Sequence, residues 1–154
     1  MAAFINPDHP KQKLLFFVAQ ALDDRTRAAV RQFVLRLASL RRWLNGPPRF
    51  VNSREQADGA TAADAPSETL GGFLEIYSAL PPLSLPRETD LQHLEEVTAL
   101  VRSLREFARD YSLTIELELD GTFVGSITGG ELDHTLAEGF LGEWRRHLGA
   151  EGSI

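Results

Sequence analysis

No cysteine occurs anywhere in these 154 residues. That excludes disulfides, thiolate zinc sites and cysteine nucleophiles. No long hydrophobic stretch occurs either. The longest, Leu14 to Ala19, is about a third of the roughly 20 residues that cross a bilayer. Met1-Ala2-Ala3-Phe4-Ile5-Asn6-Pro7 shows no basic stretch leading into an apolar run, so no signal peptide is expected and the expected compartment is the cytoplasm. There is no internal repeat and no catalytic signature. Gly125-Ser126-Ile127-Thr128-Gly129 lacks the middle serine of a nucleophile elbow and follows a hairpin strand. Gly121 and Gly125 are not followed by the Lys-Ser/Thr pair of a phosphate loop.

What is present suffices for one domain over residues 1–154 with a core of its own. The hydrophobic fraction is 43% and the charged fraction 25%, both ordinary for a globular chain. The net charge of −6 is unevenly spread. Residues 1–54 hold ten Lys and Arg against three Asp, a balance of +7. Residues 55–154 hold six Arg against nineteen Asp and Glu, a balance of −13. Such a split marks either a nucleic-acid surface with an acidic tail or two halves of one domain with complementary surfaces.

The expected fold is α+β and predominantly helical, with four to five helices packed on a small antiparallel sheet built round a C-terminal hairpin at 113–128. Residues 8–46 read as a helical basic segment. Asp8 can cap a first helix and Pro10 suits its first turn, although Leu14 to Val18 would equally form a buried strand. Asp23-Asp24 opens a second helix expected to run to Asn45, with Val30, Phe33, Val34, Leu37, Leu40 and Leu44 in one stripe. Residues 52–69 carry no large apolar side chain and read as a flexible linker or long loop. Residues 70–149 then form an acidic helix-hairpin-helix segment. Leu70, Phe73, Leu74, Tyr77 and Leu80 favour a short helix, with a strand over Phe73 to Tyr77 as the alternative. Thr89 and Gln92 have capping-box spacing ahead of the longest stripe, Leu91 to Tyr111.

Leu113 to Leu119 alternates at the period of a half-buried strand, and Asp120-Gly121 marks a hairpin. Inward burial of Phe123 and Ile127 argues for a three-residue turn pairing Leu117 with Phe123, and it places Gly125 opposite Ile115, where a helix could come close. Asp133 is the expected cap of a last helix with Leu136, Phe140, Leu141, Trp144 and Leu148 on its apolar face.

No catalytic residue, cofactor or metal ligand is expected. His134 and Glu138 share a helix face without a third ligand. His93 with Glu95 and Glu96 reads as charge placement in a helix's first turns. The candidate partner surface is the outer hairpin face, Glu116, Glu118, Asp120, Thr122 and Val124, acting as an acidic docking patch. The plainer reading is that these charges prevent edge pairing. The alternative surface is a nucleic-acid face of Arg31, Arg36, Arg41 and Arg42, which is disfavoured because the arginines share no narrow stripe.

The segments Glu118-Leu119-Asp120-Gly121-Thr122-Phe123-Val124-Gly125 and Gly139-Phe140-Leu141-Gly142-Glu143-Trp144 give the chain a class-level resemblance to small, acidic, cysteine-free immunity proteins. Bacteria encode these beside secreted or contact-delivered toxins. The resemblance implies a non-catalytic protein, monomer or homodimer, in a one-to-one complex with a cognate toxin. It transfers no site residue, and the basic first third departs from the uniformly acidic surface common where the toxin is a nuclease.

Overall fold

The computed structural model describes residues 8–55, 67–79 and 85–149. In chain order the elements are β1 (Lys11–Val18), α1 (Asp24–Leu37), β2 (Arg49–Glu55), β3 (Ser67–Tyr77), α2 (Arg87–Tyr111), β4 (Thr114–Leu119), β5 (Thr122–Thr128) and β6 (Glu131–Leu132). A last helix, α3, is π-wound over Thr135–Gly142 and continues as α-helix over Glu143–Leu148. The six strands form one antiparallel sheet in the order β2-β3-β1-β4-β5-β6.

The chain is therefore α+β, but the expected four to five helices on a small sheet are overturned. There are three helices among the described residues, and the sheet is the larger organiser. Two segments account for the change. Leu14 to Val18 is a strand, because Leu14, Phe16 and Val18 are buried while Leu15 and Phe17 lie on the other side. A continuous apolar run hides this alternation when a half-buried face is itself apolar. The stretch from Leu70 to Tyr77 is also a strand. Gly71 and Gly72, costly inside a helix, let β3 close against its neighbours. A Cβ on Gly72 would stand 2.7 Å from the Phe16 ring, and one on Gly71 1.8 Å from the Phe16 carbonyl oxygen.

The supposed linker is partly sheet as well. Asn52 to Glu55 pairs with Leu70 to Ser67, and the middle of that stretch, 56–66, lies outside the described residues. Nor is the basic first third a segment apart, since β1 sits between β3 and β4 at the centre of the acidic part.

Helix α1 starts as expected, with Asp23 accepting from the Thr26 amide (2.7 Å). It stops at Leu37 rather than Asn45 because Trp43 folds back into the core and donates its indole N–H to the Leu37 carbonyl (2.9 Å). Helix α2 carries its stripe from Leu94 to Ala108 inward. The capping box does not form, however. The helix opens at Arg87 behind Pro86, and Thr89 is buried within it.

The hairpin has a two-residue turn, not three. Asp120 and Gly121 both sit at positive φ (50° and 85°), and Leu119 pairs with Thr122. Burial is then rescued by a bulge. Gly125 pairs with Leu117 and Phe123 with Glu118, so Val124 is the extra residue and Ile127 still turns inward opposite Ile115. Such an insertion shifts every later side chain to the other face. Phe123 stays outside, 48% exposed. Gly125 does admit a helix, though opposite Leu117, since its Cβ would meet Leu136 of α3 at 2.2 Å. Asp133 caps that helix through the Leu136 amide (2.8 Å).

All three helices pack on one face of the sheet. Val30, Phe33 and Val34 of α1, Leu100, Leu104 and Phe107 of α2 and Leu136 and Leu141 of α3 share a core with Leu14, Phe16, Leu74, Ile115, Leu117 and Ile127. Phe33 stacks on Phe107 at 4.5 Å between ring centres.

Candidate functional site

The opposite face of the sheet carries no helix among the described residues. Directly paired residues point the same way, so the strand registers define its rows. One row runs Arg49, Phe73, Leu15, Glu118, Phe123 across β2, β3, β1, β4 and β5. The next runs Val51, Gly71, Phe17, Glu116, Ser126. The open face therefore has an apolar middle of Leu15, Phe17, Phe73 and Val51, all half-buried. Glu116 and Glu118 flank it on the β4 side. Arg49 flanks it on the β2 side, and Lys13 of β1 stands in the next row along, its ammonium 5.0 Å from the centre of the Phe73 ring.

The five hairpin residues read from the sequence do not form one patch. Glu116 and Glu118 share the open face. Asp120 is in the turn, where Oδ1 accepts from the Lys13 amide (2.8 Å) and the Asp120 amide donates to the Lys13 carbonyl (3.0 Å). Its carboxylate thus extends the β1–β4 ladder. Thr122 pairs with Leu119 on the other side of the sheet, and Val124 is the bulge. Guarding an edge is not the role of this face, because β4 is flanked by β1 and β5. Leu15, Phe17 and Phe73 were beyond sequence reasoning. They join Glu116 and Glu118 only through pairings that span up to about a hundred residues.

The arginines are also dispersed. Arg31 and Arg36 are on α1, whereas Arg41 and Arg42 fall in the turn beyond it. Arg41 spreads its guanidinium 5.8 Å from the Trp43 ring centre. Arg36 lines a groove between α1 and α2 that Glu106 and Asp110 line as well, so no uniformly positive face arises. Arg27 bridges the halves of the chain, bonding Glu68 (2.9 Å) and Asp24 (3.0 Å). These bonds, Glu68 foremost, push its pKa upward.

His93 and Glu96 are fully buried, not a surface charge pair. Strand β3 outruns β2, which leaves its edge groups at Glu75 and Tyr77 without a strand partner. Asn45 supplies a donor to the Glu75 carbonyl (3.4 Å), and His93 Nε2 accepts the Tyr77 amide (3.1 Å). These partners set the tautomer, so Nδ1 carries the proton and donates to Glu96 Oε1 (3.0 Å). Glu96 Oε2 accepts the Leu44 amide (2.6 Å). Both ring nitrogens are thereby occupied, so the pair is a structural clamp and not an acid–base couple. His134 is exposed, and Glu138 faces Arg146 at 3.5 Å. Among the described residues no three side chains converge as metal ligands, and no helix is long and apolar enough to cross a membrane.

A cleft of about 340 Å³ opens at one end of the sheet, between the C-terminal end of β3, the first turn of α2 and α3. Tyr77, Phe140 and Trp144 line it with Asp90, Glu143 and His147. The chain matches no family model, no curated protein and no solved structure.

Proposed function

We propose that this chain is a non-catalytic protein-binding protein, of the toxin-neutralising kind, that meets its partner through the open face of its sheet. The observation that carries the reading is the pair of rows just described, an apolar centre with carboxylates along one flank. Contiguous apolar surface rimmed by polar groups is the usual mark of a protein contact. Glu116 and Glu118 favour a partner whose apolar surface is bordered by basic residues, and charges so placed speed encounter and select among partners. The same face answers the acidic patch read on the hairpin, with Asp120, Thr122 and Val124 removed from it and Leu15, Phe17, Phe73 and Phe123 added. One cognate toxin domain in the cytoplasm is the partner this reading takes.

The test is co-purification from the protein's own cells. Wild type should return one stoichiometric protein. Glu118→Lys and Phe123→Ala together should lose it while the melting temperature stays within a few degrees. Retention of the partner by that double variant would remove the open face from the account.

A further inference from the structure

The end cleft is built by parts of the chain far apart in sequence, and its chemistry is specific. Asp90 is 7% exposed and accepts the Trp144 indole N–H at Oδ1 (2.7 Å). Its other oxygen takes no hydrogen bond among the described residues. No buried side-chain oxygen or nitrogen there lacks a partner, so that oxygen must reach solvent, and the cleft that Asp90 lines is its way out. The walls are aromatic. Trp144 and Phe140 meet at 5.7 Å with their planes 53° apart, and Tyr77 joins them from the end of β3. Tyr77 already attracts a cation on one side, the Lys11 ammonium at 5.7 Å from its ring centre.

The other charges are accounted for. Glu143 is spent on Arg146 (2.7 Å), and Arg87 donates to the Leu148 carbonyl. His147 stands in the lining and opposes a cation only when protonated. Among the described lining residues Asp90 is left as the one carboxylate without a cationic partner, with the rings of Tyr77, Phe140 and Trp144 beside it. Ring quadrupoles attract cations, most strongly where water is excluded, and a cage of rings beside a carboxylate suits an ammonium carrying alkyl groups. A single free carboxylate oxygen offers no fork for a guanidinium. We infer that the cleft is a binding site for an organic ammonium cation, held by Asp90 and enclosed by Tyr77, Phe140 and Trp144. A free small molecule and a lysine side chain of another protein share this chemistry. The inference stands independently of the open face, which uses other residues.

The experiment follows the indole N–H resonance of Trp144, assigned by its disappearance in Trp144→Phe, in the whole protein. Choline, N-acetyl-lysine amide and the uncharged choline isostere 3,3-dimethylbutanol are titrated to about 10 mM, which reaches dissociation constants in the millimolar range. Choline or the lysine amide should shift the resonance saturably, and the neutral isostere should bind at least about tenfold more weakly. Tighter binding of the lysine amide assigns the site to a protein side chain, and tighter binding of choline to a small molecule. Asp90→Asn keeps an acceptor for the Trp144 N–H and should weaken binding about tenfold or more, with an unchanged melting temperature separating this from misfolding. Glu143→Gln should change it little. Equal binding of the neutral isostere, an unaffected Asp90→Asn, or no shift by either cation would overturn the assignment.

Discussion

The two faces of the sheet are made by alternate residues of the same strands, yet they answer to different physics. On β1, Leu14, Phe16 and Val18 point into the helix layer and are almost wholly buried. Leu15 and Phe17, one residue along, lie half-exposed beside Glu116 and Glu118. The covered face is selected by volume. There β3 gives up side chains at Gly72 to seat the Phe16 ring, and β5 does so at Gly125 to admit Leu136. The open face holds fewer apolar side chains, Leu15, Phe17, Val51 and Phe73 at its centre, and adds charge at its flanks, which a core would reject. An antiparallel sheet can leave one side to water, and that side is ordinarily polar. The apolar rows here are what suggest a partner.

The comparison can be broken or sharpened by mutation. The largest effect is expected at the clamp beside the covered face. His93→Ala would strand the Glu96 carboxylate and the Tyr77 amide in the core. Each buried group left without a hydrogen-bond partner costs about 1–3 kcal/mol, more when it is charged, and chemical denaturation would register the two together as a fall in midpoint. On the covered face itself, Leu117→Ala should cost about 2–5 kcal/mol, whereas Leu15→Ala on the open face should cost only about 1 kcal/mol. Equal losses would mean that both faces are core. Gly125→Ala forces a Cβ to 2.2 Å from Leu136 at φ 148° and should cost about 3 kcal/mol. Gly121→Ala meets no atom within 4 Å and should cost about 1 kcal/mol for its left-handed backbone.

The smallest effect is one of pH. The Thr26 amide, joined by the threonine hydroxyl, holds the Asp23 carboxyl below its ordinary 3.8. A depressed folded pKa adds stability that is present above the unfolded value and is lost as pH falls through the folded one. Asp23→Asn, which still caps, should therefore flatten part of the stability loss below about pH 4 in acid titrations of the melting temperature.

Much of the helix layer was legible in the sequence, because one-sided burial writes a period of 3.6 into α1 and α2. The ends were less so. Trp43 stops α1 through a fold-back that no local pattern announces, and Pro86 displaces the apparent capping box. The sheet was harder. Apolar residues on both faces of β1 erase its alternation, and the glycines of β3 make sense only once Phe16 is known to lie across them. The turn shows why burial alone can mislead. It required Ile127 inside, but the chain meets that demand with a bulge at Val124 and leaves Phe123 out. Of the candidate surface, Glu116 and Glu118 were readable as alternating carboxylates. Their apolar neighbours arrive from strands far away in sequence. The cleft gave one faint local hint, a tryptophan on an apolar stripe whose N–H needs an acceptor, and the acceptor lies 54 residues away.

The measurement closest to the central claim is capture of the proposed partner by a paired set of variants, one on the open face and one on the helix layer. Glu118→Lys with Phe123→Ala changes only the open face, and Leu35→Ala changes another exposed apolar residue, on α1. The account predicts that the first abolishes stoichiometric capture with the fold intact and the second leaves it untouched. Capture that survives the open-face change and is lost with Leu35→Ala would place the partner on the helix layer and contradict it.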